Sequence, residues 1–183
     1  MRVITGKARG VVLKTPDGLQ TRPTTDRVKE ALFSIIQFEI PGVRVLDLFG
    51  GTGQLGIEAL SRGAKSATFV DERQDACNLI RENLRRTKLE QDARVVRSDY
   101  LSFLSTCREK YNIILLDPPY AEVFLENSLK RITEIDILES GGIIVAERPV
   151  DKELPWVFPG YSRSKDYKYG KTLLTLYRKD SDQ

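Results

Sequence analysis

Tyr111-Asn112-Ile113-Ile114-Leu115-Leu116-Asp117-Pro118-Pro119-Tyr120 is an apolar run stopped by a carboxylate and two prolines. Four consecutive apolar residues before such a stop predict a buried strand, Tyr111 to Leu116. Proline has no N–H for a ladder and keeps the residue before it out of the helical region. The chain therefore leaves the strand stiff and extended, with Asp117 at its end and the Tyr120 ring three residues on. In an open α/β sheet, ligands bind outside the carboxyl ends of the strands. A fixed acceptor beside a ring face suits a planar group that carries an amine. A plain strand-terminating turn with an Asp cap accounts for the same residues taken alone.

Outward from this strand, the pattern alternates. Val43 to Phe49, Ser66 to Val70 and Ala93 to Arg97 read as strands, as does Gly142 to Glu147. Between them lie helical stretches at Gln54 to Arg62, 74–87, 100–108 and Glu122 to Ile137. This rhythm predicts a parallel, doubly wound sheet. Upstream, Val28, Ala31, Leu32, Ile35 and Ile36 form a helix stripe, capped by Thr24 or Thr25 and ended by Pro41-Gly42. Residues 2–14 read as a short hairpin or irregular arm. After Pro149 the rhythm changes, and Tyr161 to Tyr169 and Lys171 to Lys179 predict an antiparallel hairpin around Gly170. The expected fold is α/β and Rossmann-like: a seven-stranded, mostly parallel sheet with an antiparallel C-terminal hairpin and a short N-terminal arm. One domain over 1–183 is expected, with the arm and first helix in 1–40 and the core in 41–183.

With 40% apolar and 30% charged residues the composition is that of a folded domain. No apolar run reaches the roughly 20 residues of a membrane span, and a cytoplasmic protein is expected. Cys77 and Cys107 form no metal or disulfide pattern, and there is no histidine. Any chemistry must proceed without imidazole, and no metal is expected. The net charge of +3 is unevenly spread. Both ends are basic, through Arg2, Lys7, Arg9, Lys14, Arg22, Arg27 and Lys29, and through Arg163, Lys165, Lys168, Lys171, Arg178 and Lys179. Basic ends around an acidic middle suggest an anionic partner such as nucleic acid; a solvated lysine-rich surface is the plainer account.

Asp47-Leu48-Phe49-Gly50-Gly51-Thr52-Gly53 lies at the first strand-to-helix turn. Glycines there let backbone approach a ligand, and the helix start offers free N–H groups. Asp71 ends the next strand, where a carboxylate can accept from two ribose hydroxyls. A nucleoside cofactor is the expectation; a tight turn that needs glycines for packing alone, with Asp71 an ordinary helix-start acid, is the plainer account. A nicotinamide cofactor fits the glycine spacing of Gly51-Thr52-Gly53-Gln54-Leu55-Gly56. It leaves Asp117-Pro118-Pro119-Tyr120 unexplained, and about forty residues precede the glycine strand.

Together these motifs resemble S-adenosylmethionine-dependent methyltransferases that modify amino groups. Four stretches, in order, are similar to the RsmD family: Thr5-Gly6-Lys7-Ala8-Arg9-Gly10, the run Arg22-Pro23-Thr24-Thr25-Asp26-Arg27 continuing to Phe33, Asp47 to Gly53, and Asp117 to Tyr120. The glycine and Asp-Pro-Pro-Tyr motifs are common to many amino-methyltransferases, whereas Arg22 to Arg27 is the family-specific part. That family methylates the exocyclic N2 of a guanine in 16S ribosomal RNA.

The resemblance implies S-adenosylmethionine as cofactor. Its contacts would be Asp47, Phe49, Gly50, Gly51, Gly53, Asp71, Glu72, Asp99 and Tyr100. Asp47 would anchor the methionine amine, Asp71 the ribose, and Asp99 with the Tyr100 amide the adenine; Asp99 is equally well a helix N-cap. Asp117, Pro118, Pro119 and Tyr120 would form the catalytic motif, with Asp117 and the Pro118 carbonyl accepting from the guanine amine and Tyr120 stacking on the base. Arg2, Lys7, Arg9, Arg22, Thr24 and Arg27 would meet RNA. The implied partner is 16S rRNA within an assembling small ribosomal subunit, bound by a monomer. An adenine-N6 or glutamine-N5 methyltransferase shares the two general motifs, and an inactive nucleic-acid-binding protein of the same fold is the alternative outside enzymes.

Overall fold

The structure, a computed structural model, describes residues 1–17, 23–119, 122–155 and 157–181, without the side chains of 23–25, 122 and 157. Eight strands form one sheet in the order β3-β2-β1-β4-β5-β8-β7-β6. They are β1 (Arg44–Asp47), β2 (Ser66–Asp71), β3 (Ala93–Arg97), β4 (Tyr111–Leu116), β5 (Leu138–Pro149), β6 (Val157–Phe158), β7 (Tyr161–Tyr169) and β8 (Thr172–Lys179). Strands β1 to β5 pair in parallel, and β8 inserts antiparallel beside β5 with β7 outside it. The seven expected strands are all present; the two-residue β6 adds an eighth at the edge of the hairpin.

The helices are α1 (Pro23–Ile36), α2 (Gln54–Ser61), α3 (Gln74–Thr87), α4 (Tyr100–Thr106) and α5 (Glu122–Ile135). Alternation along the strands divides the core between the two sheet faces. Val45, Phe69, Ile113, Leu115, Ile143 and Val145 face the N-terminal arm, α1, α2 and α3. Leu46, Val70, Ile114, Leu116, Ile144 and Ala146 face α4 and α5.

Several boundaries differ from the sequence reading by one to four residues, and three of the differences have a clear physical reason. α1 starts at Pro23, so neither threonine is its cap; proline suits the first helical position, where no N–H is needed. That helix stops at Ile36 and tightens into a 3₁₀ turn, Gln37–Glu39, before Pro41. β5 begins at Leu138, because Leu138 pairs with Tyr111 and the ladder resumes at Ile143 after an irregularity that takes in Gly141 and Gly142.

The arm is an irregular hairpin: Arg2 and Val12 form an isolated bridge, with backbone bonds from Val3 N to Val11 O at 3.0 Å and from Leu13 N to Met1 O at 2.9 Å. Backbone and side chains both fasten it to α2, the Lys7 amide donating to Ser61 O at 2.8 Å. Buried Glu58 accepts from the Ile4 amide at 2.8 Å, and Ser61 Oγ accepts from the Ala8 amide at 2.9 Å while donating to Thr5 O at 2.6 Å. Lys29 is buried, and its Nζ donates to the Arg2 carbonyl at 2.9 Å. Burial lowers its pKa. Lys29 is therefore an anchor of the arm and no part of a basic surface.

Candidate active site

Strand order reverses beside β1, which has β2 on one side and β4 on the other. That switch point opens a crevice at the carboxyl ends of the strands. Four acids stand along it, one from each neighbouring strand in spatial order: Asp71 (β2), Asp47 (β1), Asp117 (after β4) and Glu147 (β5). Each lies two residues beyond a member of the same core cluster, Phe69, Val45, Leu115 and Val145. All four therefore belong to one face of the sheet.

Asp47 is 1% exposed. Its Oδ2 accepts from the Gly56 amide in the first turn of α2 at 3.1 Å, and Oδ1 is buried with no partner among the described residues. Burial pushes its pKa up to about 8; the Gly56 hydrogen bond opposes this, and Asp117 and Asp71 add to it. A buried carboxylate oxygen without a donor suits an ammonium group. This fits the methionine end of S-adenosylmethionine, which the family resemblance implies.

The glycine turn runs from the end of β1 to α2. Gly53 donates to Gly50 O at 2.7 Å and Gly50 to Val70 O at 2.8 Å. Gly51 (φ +58) and Gly53 (φ +81) adopt the left-handed conformation. A Cβ on Gly51 would point into open space, whereas one on Gly53 would meet Ile57 and Ile80 at 3.2 Å. Gly53 is favoured by its left-handed φ and by these close side chains, and Gly51 leaves room on the outer side of the turn.

Asp71 is more committed than its sequence position suggested. Its Oδ2 accepts from the Gly51 amide and its Oδ1 from the Arg73 amide, both at 3.0 Å. Each oxygen keeps a second lone pair for a ribose hydroxyl. Asp99 is exposed and is the N-cap of α4, accepting from the Ser102 amide at 3.0 Å. Its hydrogen bonds from Ser102 lower its pKa. The Glu72 side chain is exposed.

Phe49 and Tyr100 come together, with ring centroids 5.3 Å apart, and Phe124 of α5 completes a trio at 5.2 Å from Tyr100 in an edge-on arrangement. Phe124 is a residue the sequence reading missed, because it lies inside an amphipathic helix pattern. Nearby in sequence, Leu101 and Val123 are exposed apolar residues at the starts of α4 and α5.

Asp117 is partly exposed, Pro118 likewise, and Pro119 is exposed. Burial pushes the Asp117 pKa up to about 6. Glu147 was also missed. Leu116 and Ala146 pair in register, so Asp117 and Glu147 follow them side by side. Burial, with the Asp117 charge added, pushes Glu147 up to about 8. The available signal was its place: an acid ending a buried apolar strand, as Asp117 does.

Of the residues expected to meet RNA, Arg2, Lys7, Arg9 and Arg27 are exposed. Arg22, the Thr24 side chain and Tyr120 lie outside the described residues. The hairpin is less basic at its surface than its composition implied. The Arg163 side chain is 1% exposed and paired with Asp166, Arg178 pairs with Glu39, and Lys179 with Asp136. Tyr167 and Tyr169 are partly buried and pack against the core.

Comparison with known proteins agrees with this architecture. The chain is 35% identical over 181 residues to Ribosomal RNA small subunit methyltransferase D of Escherichia coli (strain K12), covering 99% of this chain and 91% of that protein. It is 41% identical over 182 residues to Bacillus subtilis YlbH, covering 98% and 99%. The solved structure of Escherichia coli yhhF superposes with a TM-score of 0.90 at 32% identity, covering 100% of this chain and 99% of that one. Thermus thermophilus protein TTHA0928 superposes with a TM-score of 0.81 at 34% identity, covering 96% and 98%. The fold is that of the Rossmann-like methyltransferases. The family model described as Conserved hypothetical protein 95 matches residues 1–178, and the chain belongs to that family, the RsmD family.

Proposed function

We propose that this protein transfers a methyl group from S-adenosylmethionine to the exocyclic N2 of a guanine in 16S ribosomal RNA. The observation that carries the reading is the pair of neighbouring strand ends, Asp47 with its unpartnered buried oxygen and Asp117 in its Asp-Pro-Pro-Tyr motif. One can hold a cofactor ammonium, the other a substrate amine. The name of the Escherichia coli relative supports small-subunit ribosomal RNA as the substrate.

When bound, S-adenosylmethionine supplies an electrophilic methyl on a sulfonium. Asp47 would hold its amino group, Gly51 and Gly53 its methionine chain, Asp71 its ribose, and Asp99, Tyr100 and Phe49 its adenine. Asp117 and the Pro118 carbonyl accept the two N2 hydrogens of the guanine. The N2 lone pair is delocalised into the ring, and two acceptors draw the nitrogen toward tetrahedral geometry and free it. Positive charge grows on N2 as the N–C bond forms and the methyl–sulfur bond breaks, its electron pair staying on a neutral thioether, so an anionic Asp117 favours the transition state over the ground state. The surplus proton then leaves N2 to Asp117 and on to water. Alignment of the reactants supplies much of the remainder, up to roughly 7–11 kcal/mol. A base inside a duplex is out of reach, so the guanine must be unpaired or flipped, with Tyr120 replacing the lost stacking. Exposed Arg2, Lys7, Arg9 and Arg27 supply phosphate contacts.

The test is methyl transfer from labelled S-adenosylmethionine to small-subunit particles lacking the modification, to naked 16S RNA, to DNA and to protein. N2-methylguanosine from particle or RNA is expected. Methyladenosine, or label in protein alone, would overturn the guanine assignment.

A further inference from the structure

We propose that Glu147 selects guanine by accepting the N1–H of the base beside the N2 amine held by Asp117. The inference rests on the guanine-N2 reading above and deepens it.

Three observations support it. The first is position. Asp117 and Glu147 directly follow the registered pair Leu116 and Ala146 on adjacent parallel strands, and they share the sheet face that carries Asp47. Adjacent strands lie about 4.8 Å apart, so the two carboxyls are neighbours at the crevice. The second is their lack of donors. No described residue donates a hydrogen bond to either carboxyl. The nearest cation in sequence, Arg148, is buried and turned to other partners: Asp166 at 3.0 Å, Thr175 Oγ1 at 2.9 Å and the Lys152 carbonyl. The third concerns the obvious rival occupant. Among the described residues, no three His, Cys, Asp or Glu side chains converge in a way that could hold a metal ion.

Two adjacent acceptors call for two adjacent donors. Guanine presents N1–H beside its N2 amine on the Watson–Crick edge. Adenine sets an acceptor, N1, beside its N6 amine, and cytosine sets an acceptor, N3, beside its N4 amine. Uracil has no amine. Guanine is thus the one RNA base whose amine and ring nitrogen both donate into the pair. Its donors relieve the repulsion between the carboxyls and favour their ionised forms. This concentrates negative charge where N2 becomes positive. An adenine would instead set its N1 lone pair against Glu147, which could meet it only by keeping its proton, and the negative charge beside the amine would be lost.

The experiment uses the full chain. Nucleoside analysis first locates the guanine that the unmodified enzyme marks in a small-subunit particle. Particles are then assembled with guanine or 2,6-diaminopurine at that position. Diaminopurine keeps the exocyclic amine and replaces N1–H by an acceptor. The unmodified enzyme should prefer guanine at least about a hundredfold in kcat/KM, as expected when a polar site loses its matching donor. In Glu147→Gln, whose amide both donates and accepts, the preference should fall to about tenfold or less, with S-adenosylmethionine affinity unchanged by calorimetry. Glu147→Ala should slow guanine while sparing diaminopurine. Equal use of both bases by the unmodified enzyme overturns the proposal. So does a preference retained in both variants, or a Gln variant that binds cofactor yet is inactive on either base. A first product other than N2-methylguanosine would instead sink the underlying reading, before any variant is made.

Discussion

Asp47 accepts from the Gly56 amide through one carboxylate oxygen at 3.1 Å and buries the other without a partner among the described residues. The hydrogen bond locks the side chain between the end of β1 and the first turn of α2, so the free oxygen is pre-oriented. With burial pushing its pKa up to about 8, Asp47 is mostly protonated at pH 7 in the ligand-free protein. An ammonium ligand requires the carboxylate. Binding of S-adenosylmethionine at pH 7 should therefore release close to one proton, read as the dependence of the binding enthalpy on buffer ionisation heat. In Asp47→Asn the release should vanish and affinity fall at least about tenfold, the loss of one charge-assisted hydrogen bond. Binding without proton release would contradict the role given to Asp47.

The same acids set a pH dependence of stability. Asp47 and Glu147 are raised to about 8 and Asp117 to about 6, all above their unfolded values near 4. A raised carboxyl gives its full contribution below its unfolded pKa and loses it as pH rises through the folded one. The melting temperature of the ligand-free protein should accordingly fall between pH 5 and pH 8. Asp99 and Asp136 are shifted the other way by their hydrogen bonds, and Asp166 too, where burial is outweighed by the bonds and charges of Arg163, Thr175 and Arg148; their contribution is lost only on acidification below about pH 4. Asp47→Asn and Glu147→Gln should flatten the fall. A melting temperature that rises from pH 5 to pH 8 would be inconsistent with these shifts.

Asn83 couples the arm to the glycine turn. Fully buried on α3, it accepts from the Lys14 amide at 2.7 Å and donates to Lys14 O at 3.0 Å and to Thr52 O at 2.9 Å. Asn83→Ala removes the side-chain partner of those three backbone groups. Stability in urea should drop by about 2–3 kcal/mol, and cofactor affinity should weaken because Thr52 lies within the turn. A loss of stability with cofactor affinity intact would show that the tether supports the arm alone.

Arg2, Lys7 and Arg9 extend from a fastened arm whose backbone is bonded to α2. Replacing all three by Ala should weaken RNA binding and reduce the slope of log K against log salt by about 0.7–0.9 for each phosphate no longer neutralised. Filter binding across a salt series measures both. Replacing Arg163 should leave the slope unchanged, because that side chain is buried against Asp166. Equal slopes for the arm variant and the unmodified protein would remove the arm from the RNA interface.

Much of this was legible in the sequence for physical reasons. Strand and helix periodicities differ, so the alternation from Val43 to Glu147 could be read residue by residue. The acids Asp47, Asp71 and Asp117 stood out because each ends an apolar run. Glu147 ends one too; in the structure its neighbour Arg148 turns to Asp166 and leaves it. Lys29 and Arg163 were counted as basic surface because a sequence does not show which partner folds over a charge. The Gly141-Gly142 break hid the true start of β5 at Leu138, since pairing with Tyr111 is a tertiary property.

The central claim is that Asp117 acts on the substrate amine and not on the cofactor. Single-turnover N2-methylguanosine formation by Asp117→Asn, on small-subunit particles, tests it beside calorimetric S-adenosylmethionine binding by the same variant. The rate should fall by about 10²–10³, the loss expected when a group aimed at developing charge is removed, with cofactor affinity within about threefold. A near-normal rate, or a rate loss matched by an equal loss of cofactor binding, would contradict it.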